Sequence, residues 1–157
     1  MSQRTRRRLR IVSGGQTGVD RAALAVAMRL DLPCGGWCPL GRRAADGRLD
    51  MRWPLQETPL RTYAQRTCWN VLDSDATLIL AARPLTGGTR LTEAVATEHD
   101  RPCLVCDPAT DDAEAAAVWI TEGAIRTLNV AGPRERAAED VQPTAEAWLE
   151  RLLTRFA

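Results

Sequence analysis

The sequence contains no lysine; all 21 of its basic residues are arginine. A P-loop needs a lysine before its Ser/Thr, and pyridoxal phosphate chemistry needs one for its Schiff base, so both classes are excluded. Histidine occurs once, as His99 in "ATEHDRP", near an expected helix end. A Ser–His–Asp or Cys–His triad would rest on that single side chain and is not expected. Long apolar runs are missing too: none approaches the ~20 residues of a membrane helix. The N-terminus has arginines where a signal peptide has its apolar segment, so a cytoplasmic protein with reduced thiols is expected.

The five cysteines do not make a metal site. Cys103 and Cys106 stand three apart in the apparent strand "CLVCD" and would point to opposite faces. Cys34 and Cys38 have unusual zinc spacing and no second pair. No metal ligand is assigned.

What is present fits one domain: 157 residues, 45% of them hydrophobic and 26% charged, suffice for a single core. The net charge of +1 is uneven, because Arg4, Arg6, Arg7, Arg8 and Arg10 lie in the first ten residues. The remaining 16 arginines face 20 acids, which makes the rest about −4. Residues 1–9 are therefore expected to be a flexible basic arm, and 10–157 the folded domain. A nucleic-acid partner is not expected.

Along the chain, strand and helix patterns alternate. "LRIVSG", "PCGGWC", "ATLILAA", "PCLVCD" and "IRTLNVAG" read as strands. Val19–Leu30, "RTYAQRTCWNVLDS", Thr89–His99, "DDAEAAAVWITEG" and Pro143–Arg155 read as helices. The expectation is an α/β fold: a single Rossmann-like domain with a largely parallel sheet of about five strands and helices on both faces. Ligands in such sheets bind beyond the carboxyl ends of the strands. Glycine, arginine and hydroxyl residues concentrate in those loops.

Two loops carry most of the signal. In "SGGQTGVD", Gly14, Gly15, Gln16, Thr17 and Gly18 join a strand to a helix start, where free amides favour an anion. It is not a G-x-G-x-x-G fingerprint, since Gln16 takes the second glycine's place. Asp20 there reads equally as part of a capping pair with Thr17. In "RPLTGGTRLTE", Thr86, Gly87, Gly88 and Thr89 offer amides and hydroxyls before a second helix, and Glu93 follows. "GRRAADG" brings Arg42 and Arg43 as candidate counter-charges or as a solvated turn, and "AGPRE" adds Arg134. Arg66 and Asn70 share a helix face that meets either the ligand or solvent. Trp37 and Trp53 flank the arginine loop and read first as packing residues. Asp73 and Asp75 precede the central strand at its amino end, away from the expected pocket.

The motifs "SGGQTGVDRAAL", "PCGGWCPLGRRAADG", "WPLQETP", "YAQRTCWNVLDSDATLIL", "PLTGGTRLTE" and "LNVAGPRE" resemble the molybdenum carrier family, the circularly permuted YpsA-type branch of the SLOG superfamily. The resemblance runs from Ile11 to the last helix. It implies a Rossmann-like fold and a bound phosphorylated pterin or nucleotide derivative, with molybdenum cofactor as a candidate cargo rather than a required cofactor. A related group, the Lonely Guy phosphoribohydrolases, cleaves N-glycosidic bonds with a PGGxGTxxE motif. "PLTGGTRLTE" is similar, but Glu93 comes one residue later, a turn of about 100° on a helix. Leu40 stands where a basic residue is expected before "GRR".

The leading expectation is a binding protein for a small anionic ligand held by the residues named in the glycine loops, with Arg42, Arg43 and Arg134 as counter-charges. The alternatives are a nucleoside-monophosphate N-glycoside hydrolase using Glu93 as its catalytic carboxylate, and a nucleotide sensor acting through a protein partner. Self-association into a homo-oligomer is expected.

Overall fold

The computed structural model describes residues 8–157; residues 1–7 of the expected basic arm lie outside the described residues. Leu9, placed in that arm by composition, is buried in the core at 4% exposure, and Arg8 donates to the Leu30 carbonyl at 3.3 Å. Among the described residues, no helix is long and apolar enough to cross a membrane.

The chain runs β1 (Arg10–Val12), α1 (Val19–Arg29), β2 (Cys34–Gly35), β3 (Trp37–Cys38), β4 (Arg43–Ala44), β5 (Gly47–Arg48) and β6 (Gln56–Glu57). It continues through α2 (Tyr63–Leu72), β7 (Ala76–Leu80), α3 (Gly87–Glu98), β8 (Cys103–Cys106), α4 (Ala113–Glu122), β9 (Thr127–Ala131) and α5 (Val141–Leu153). A five-stranded sheet of order β2-β1-β9-β7-β8 forms the centre, and every pairing in it is parallel. This is the expected Rossmann-like α/β architecture.

Burial explains the layers. All residues of β7 are buried, as a parallel strand covered on both faces requires. One face packs α1, α4 and α5 around Ile11, Leu78, Leu128, Val130 and Trp148. Ala22, Ala23 and Ala27 on α1 have no exposed surface and let α5 approach closely. Trp148 is fully buried, and its indole N–H donates to the Asp111 carbonyl at 2.9 Å. The opposite face carries α2 and α3 over Val71, Val95 and Ala96.

"PCGGWC" is two strands, not one. Gly36 has φ 136°, and a Cβ there would overlap the Ser13 carbonyl oxygen. The chain turns at that glycine, so β2 stays in the main sheet while β3 leaves to pair with β6. The stretch from Pro39 to Thr58 then folds over α1 as a small layer of its own, with Leu24, Cys38, Leu49, Trp53 and Leu55 as its core.

The strand order places the site. β1 leads through α1 outward to β2, and β7 leads through α3 outward to β8, in the opposite direction. β9 returns between β1 and β7. Their carboxyl ends therefore diverge around one crevice, the switch point where ligands bind in open α/β sheets.

Candidate functional site

The two glycine loops end up in different states. At the end of β1, Gly14 gives its carbonyl to the Arg66 guanidinium at 2.6 Å, and a Cβ on Gly14 would overlap that same side chain. Gly15 and Gly18 have φ 77° and 84°. Added Cβ atoms would overlap Leu55 at the first and the Pro133 carbonyl at the second. Val19, the first residue of α1, donates its amide to Pro133 at 3.1 Å, and Glu135 donates to the Thr17 hydroxyl at 3.2 Å. The loop after β9 thus closes the start of α1.

The start of α3 is open. Thr86 precedes it in extended conformation without a side-chain cap. The first backbone bond into the helix is from Arg90 to Thr86 at 3.2 Å. Among the described residues, the amides of Gly87, Gly88 and Thr89 have no acceptor. A Cβ built on Gly87 or Gly88 meets nothing within 4 Å. Three free N–H groups at the positive end of a helix dipole, with clear space in front, are a ready anion site.

This helix start borders a pocket of about 220 Å³ at the switch point. Gly14, Gln16 and Asp20 line it from the β1 side, and Asn129 to Arg134 with Arg136 line it from the β9 side. Tyr63, Arg66, Thr67 and Asn70 contribute from α2. Around the Tyr63 ring gather three guanidiniums: Arg43 at 4.9 Å, Arg66 at 5.3 Å and Arg134 at 5.8 Å from its centre. Arg134 and Arg136 are exposed and have no carboxylate partner among the described residues. The lining therefore carries three cations, Arg66, Arg134 and Arg136, against the carboxyl of Asp20.

Residues 11–153 match the model of the circularly permutated YpsA SLOG family. The chain belongs to that family. Among solved structures it is similar to a "putative molybdenum carrier protein" from Syntrophus aciditrophicus SB, at 42% identity and TM-score 0.86. The match covers 94% of this chain and 96% of that one. No curated protein matches.

In this SLOG domain, the residues singled out by sequence part company. Gly14, Gln16, Thr86, Gly87, Gly88, Thr89 and Arg134 come together around the pocket. Gly15, Thr17 and Gly18 do not line it, because their loop is packed against Leu55 and the 133–135 segment. Gln16 is partly structural: its Oε1 accepts from the Thr17 and Ala45 amides at 3.0 and 2.8 Å. Arg42 is not a counter-charge for a ligand. It is 4% exposed, and its guanidinium donates to the carbonyls of Leu49, Leu55, Asp50 and Trp53. "GRRAADG" is the β4–β5 hairpin, held from inside by that arginine. Arg43 sits over Tyr63 at the rim and donates to the Arg61 carbonyl.

Glu93 does not reach the pocket. It lies outside the lining and forms an ion pair with Arg83 at 2.7 Å. Thr92 takes the inward position one residue earlier, which is the 100° consequence of the extra helical residue. Glu93→Gln is therefore expected to leave both the melting temperature and any binding at the pocket unchanged, as thermal denaturation and titration will read. A loss of binding would bring Glu93 back into the site.

Several lining residues had weaker sequence signals. Tyr63 is the chain's single tyrosine. Asn129 interrupts the apolar strand "TLNVA" and is 3% exposed, with Thr77 Oγ1 at 3.3 Å as the acceptor for its amide. Thr67 and Arg136 had none. Asn70, weighed as a ligand residue, exchanges two hydrogen bonds with the backbone of Trp37 and fixes β3 against α2. Trp37 and Trp53 are packing residues: Trp37 stacks edge-on against Trp69, and Trp53 is buried. Burial pushes the Cys103 and Cys106 thiols up to about 11, with Glu93 and Asp111 respectively adding to it. Both thiols are thus kept protonated at neutral pH, unlike a metal ligand or nucleophile. No group of three metal-binding side chains occurs among the described residues.

Proposed function

We propose that this domain is a binding protein for a small phosphorylated ligand of the nucleotide or pterin class, with its phosphate seated on the start of α3. The observation that carries the reading is the set of free amides at Gly87, Gly88 and Thr89, facing a pocket whose charged groups are mostly arginine. Amides aimed at a tetrahedral oxyanion, reinforced by guanidinium forks, are a common protein solution for phosphate. The pocket volume of about 220 Å³ lies below the range of roughly 300–1,000 Å³ for sites that enclose a drug-sized ligand. It suits the phosphate and the adjoining part of the molecule, with a flat ring extending toward Tyr63 and its arginines. The name of the similar Syntrophus protein supports molybdenum cofactor, a phosphorylated pterin, as a cargo to test.

The test is a titration of parent protein with inorganic phosphate, molybdate, nucleoside monophosphates and molybdenum cofactor, with Gly88→Val beside it. Added bulk at Gly88 finds open space, so the fold survives. Gly88 lines the pocket, so the valine side chain takes space there, and affinity for the phosphorylated ligands is expected to fall by about 10-fold or more, the scale of one lost charge-assisted hydrogen bond. Equal binding by the parent and a well-folded Gly88→Val variant contradicts the reading. Mass spectrometry of whatever co-purifies with the protein identifies the natural ligand.

A further inference from the structure

Among the described residues, Asp20 is the single carboxylate that lines the pocket, and its partners in the fold are few and long. It is 8% exposed. Its hydrogen-bond partner is the Gln16 amide, at a long 3.4 Å. The Arg66 guanidinium stands 3.9 Å away and spends its short bond on the Gly14 carbonyl. Arg21, on the same helix, turns instead to Asp46 and the Gly15 carbonyl. The Ser13 hydroxyl nearby donates to backbone carbonyls of Asp20 and Val130, not to the carboxylate. An ionised carboxylate has two oxygens and about four acceptor sites to fill. This one keeps acceptor capacity free, and the space it borders is the pocket.

We infer that Asp20 is a ligand-contacting residue that accepts hydrogen bonds from neutral hydroxyl groups, and that the ligand is therefore a sugar phosphate or a nucleotide held through its ribose. This rests on the phosphate seat at α3. The charges select the class. A second anion on the ligand would be repelled by Asp20. An ammonium there would meet Arg66, Arg134 and Arg136. A neutral donor suffers neither penalty and satisfies the carboxylate. The ligand is thus anionic at one end, against α3, and polyhydroxylated where it meets α1. The same geometry transfers the role that sequence gave to Glu93: if a carboxylate of this chain touches the sugar, it is Asp20.

The probes are inorganic phosphate and ribose 5-phosphate, each titrated calorimetrically into parent, Asp20→Ala and Asp20→Asn. The parent is expected to bind ribose 5-phosphate about 10- to 100-fold more tightly than inorganic phosphate, the increment of a hydrogen bond to a charged group. Asp20→Ala should erase that difference by weakening ribose 5-phosphate, while inorganic phosphate, freed from the carboxylate's repulsion, binds at least as tightly as to the parent. Asp20→Asn, which keeps shape and one acceptor, should retain part of it and guards against a folding artefact. Two results overturn the inference. One is a parent that binds both probes equally. The other is an Asp20→Ala variant that weakens both in parallel, which would mean that Asp20 acts only by placing Arg66. Failure of the phosphate seat itself looks different: inorganic phosphate and ribose 5-phosphate would both bind Gly88→Val as well as the parent.

Discussion

Arg42→Ala is expected to lower folding stability by about 2–6 kcal/mol, the scale for leaving two buried carbonyls unpaired. The guanidinium makes four hydrogen bonds to main-chain carbonyls, at 3.1, 3.1, 2.9 and 3.0 Å. Those carbonyls belong to Leu49, Leu55, Asp50 and Trp53, the irregular segment that has little secondary structure to hold it. Trp53 and Leu55 donate amides to Asp50 and Trp53, so two of the four retain a partner. The Leu49 and Leu55 carbonyls would be left buried without one, each costing about 1–3 kcal/mol. Lysine is no substitute, because one ammonium cannot span four acceptors in the plane of a fork. Urea denaturation gives the loss directly. A loss below about 1 kcal/mol, with weaker phosphate binding, would return Arg42 to the role of counter-charge.

Asp20→Asn is expected to stabilise the protein near pH 8 and to lose that advantage as the pH falls. Burial pushes the Asp20 carboxyl up to about 6 from an ordinary 3.8, against the pull of Arg66, the Gln16 amide and Arg21. The folded pKa lies above the unfolded one, so the folded state holds the proton more tightly. The contribution of Asp20 to stability is fully present below pH 4 and is lost as the pH rises through about 6. Above that, the ionised carboxylate costs at most about 3 kcal/mol, the rise from 3.8 to about 6 at about 1.36 kcal/mol per pH unit. Asparagine has no such charge to bury. Melting temperatures of parent and variant should therefore separate at pH 8 and converge toward pH 4. A constant gap across that range would show that desolvation of the carboxylate is not the cause. Retaining a residue that destabilises the empty domain is the pattern expected of a binding group.

The architecture was legible because periodicity reports burial, and here burial follows the sheet. "ATLILAA" could only be a strand covered on both faces, and the expected segments for all five α-helices agree with the observed ones to within two residues. The two-residue difference at the amino end of α3 has a cause: Gly87 and Gly88 are poor helix formers in isolation, yet they form its first turn. The site was legible as a set of loops but not in its allocation. Both glycine loops have the composition of an anion cradle. What separates them is a contact over more than a hundred residues of chain: Pro133 takes the amide of Val19, and nothing equivalent covers Gly87. The same holds for Arg42 and Arg134. Each is an arginine in a polar loop, and only tertiary packing turns the first inward to carbonyls. Glu93 comes one residue later than the glutamate of the PGGxGTxxE motif it resembles, and the helix turns it outward as that shift implies. Asp20 reads from sequence equally as a capping residue, whereas α1 starts at Val19 behind Gly18 without any side-chain cap.

The central claim is that the oxyanion sits on the start of α3 and not on the start of α1. Amide chemical shifts in ¹⁵N-labelled protein test it most directly, recorded during separate titrations with adenosine 5′-monophosphate and inorganic phosphate. The account predicts saturable downfield shifts concentrated at Gly87, Gly88 and Thr89, with Val19 unmoved because its amide already serves Pro133. Shifts at Gly15, Gly18 and Val19 with a silent α3, or no saturable shift at either helix, would contradict it.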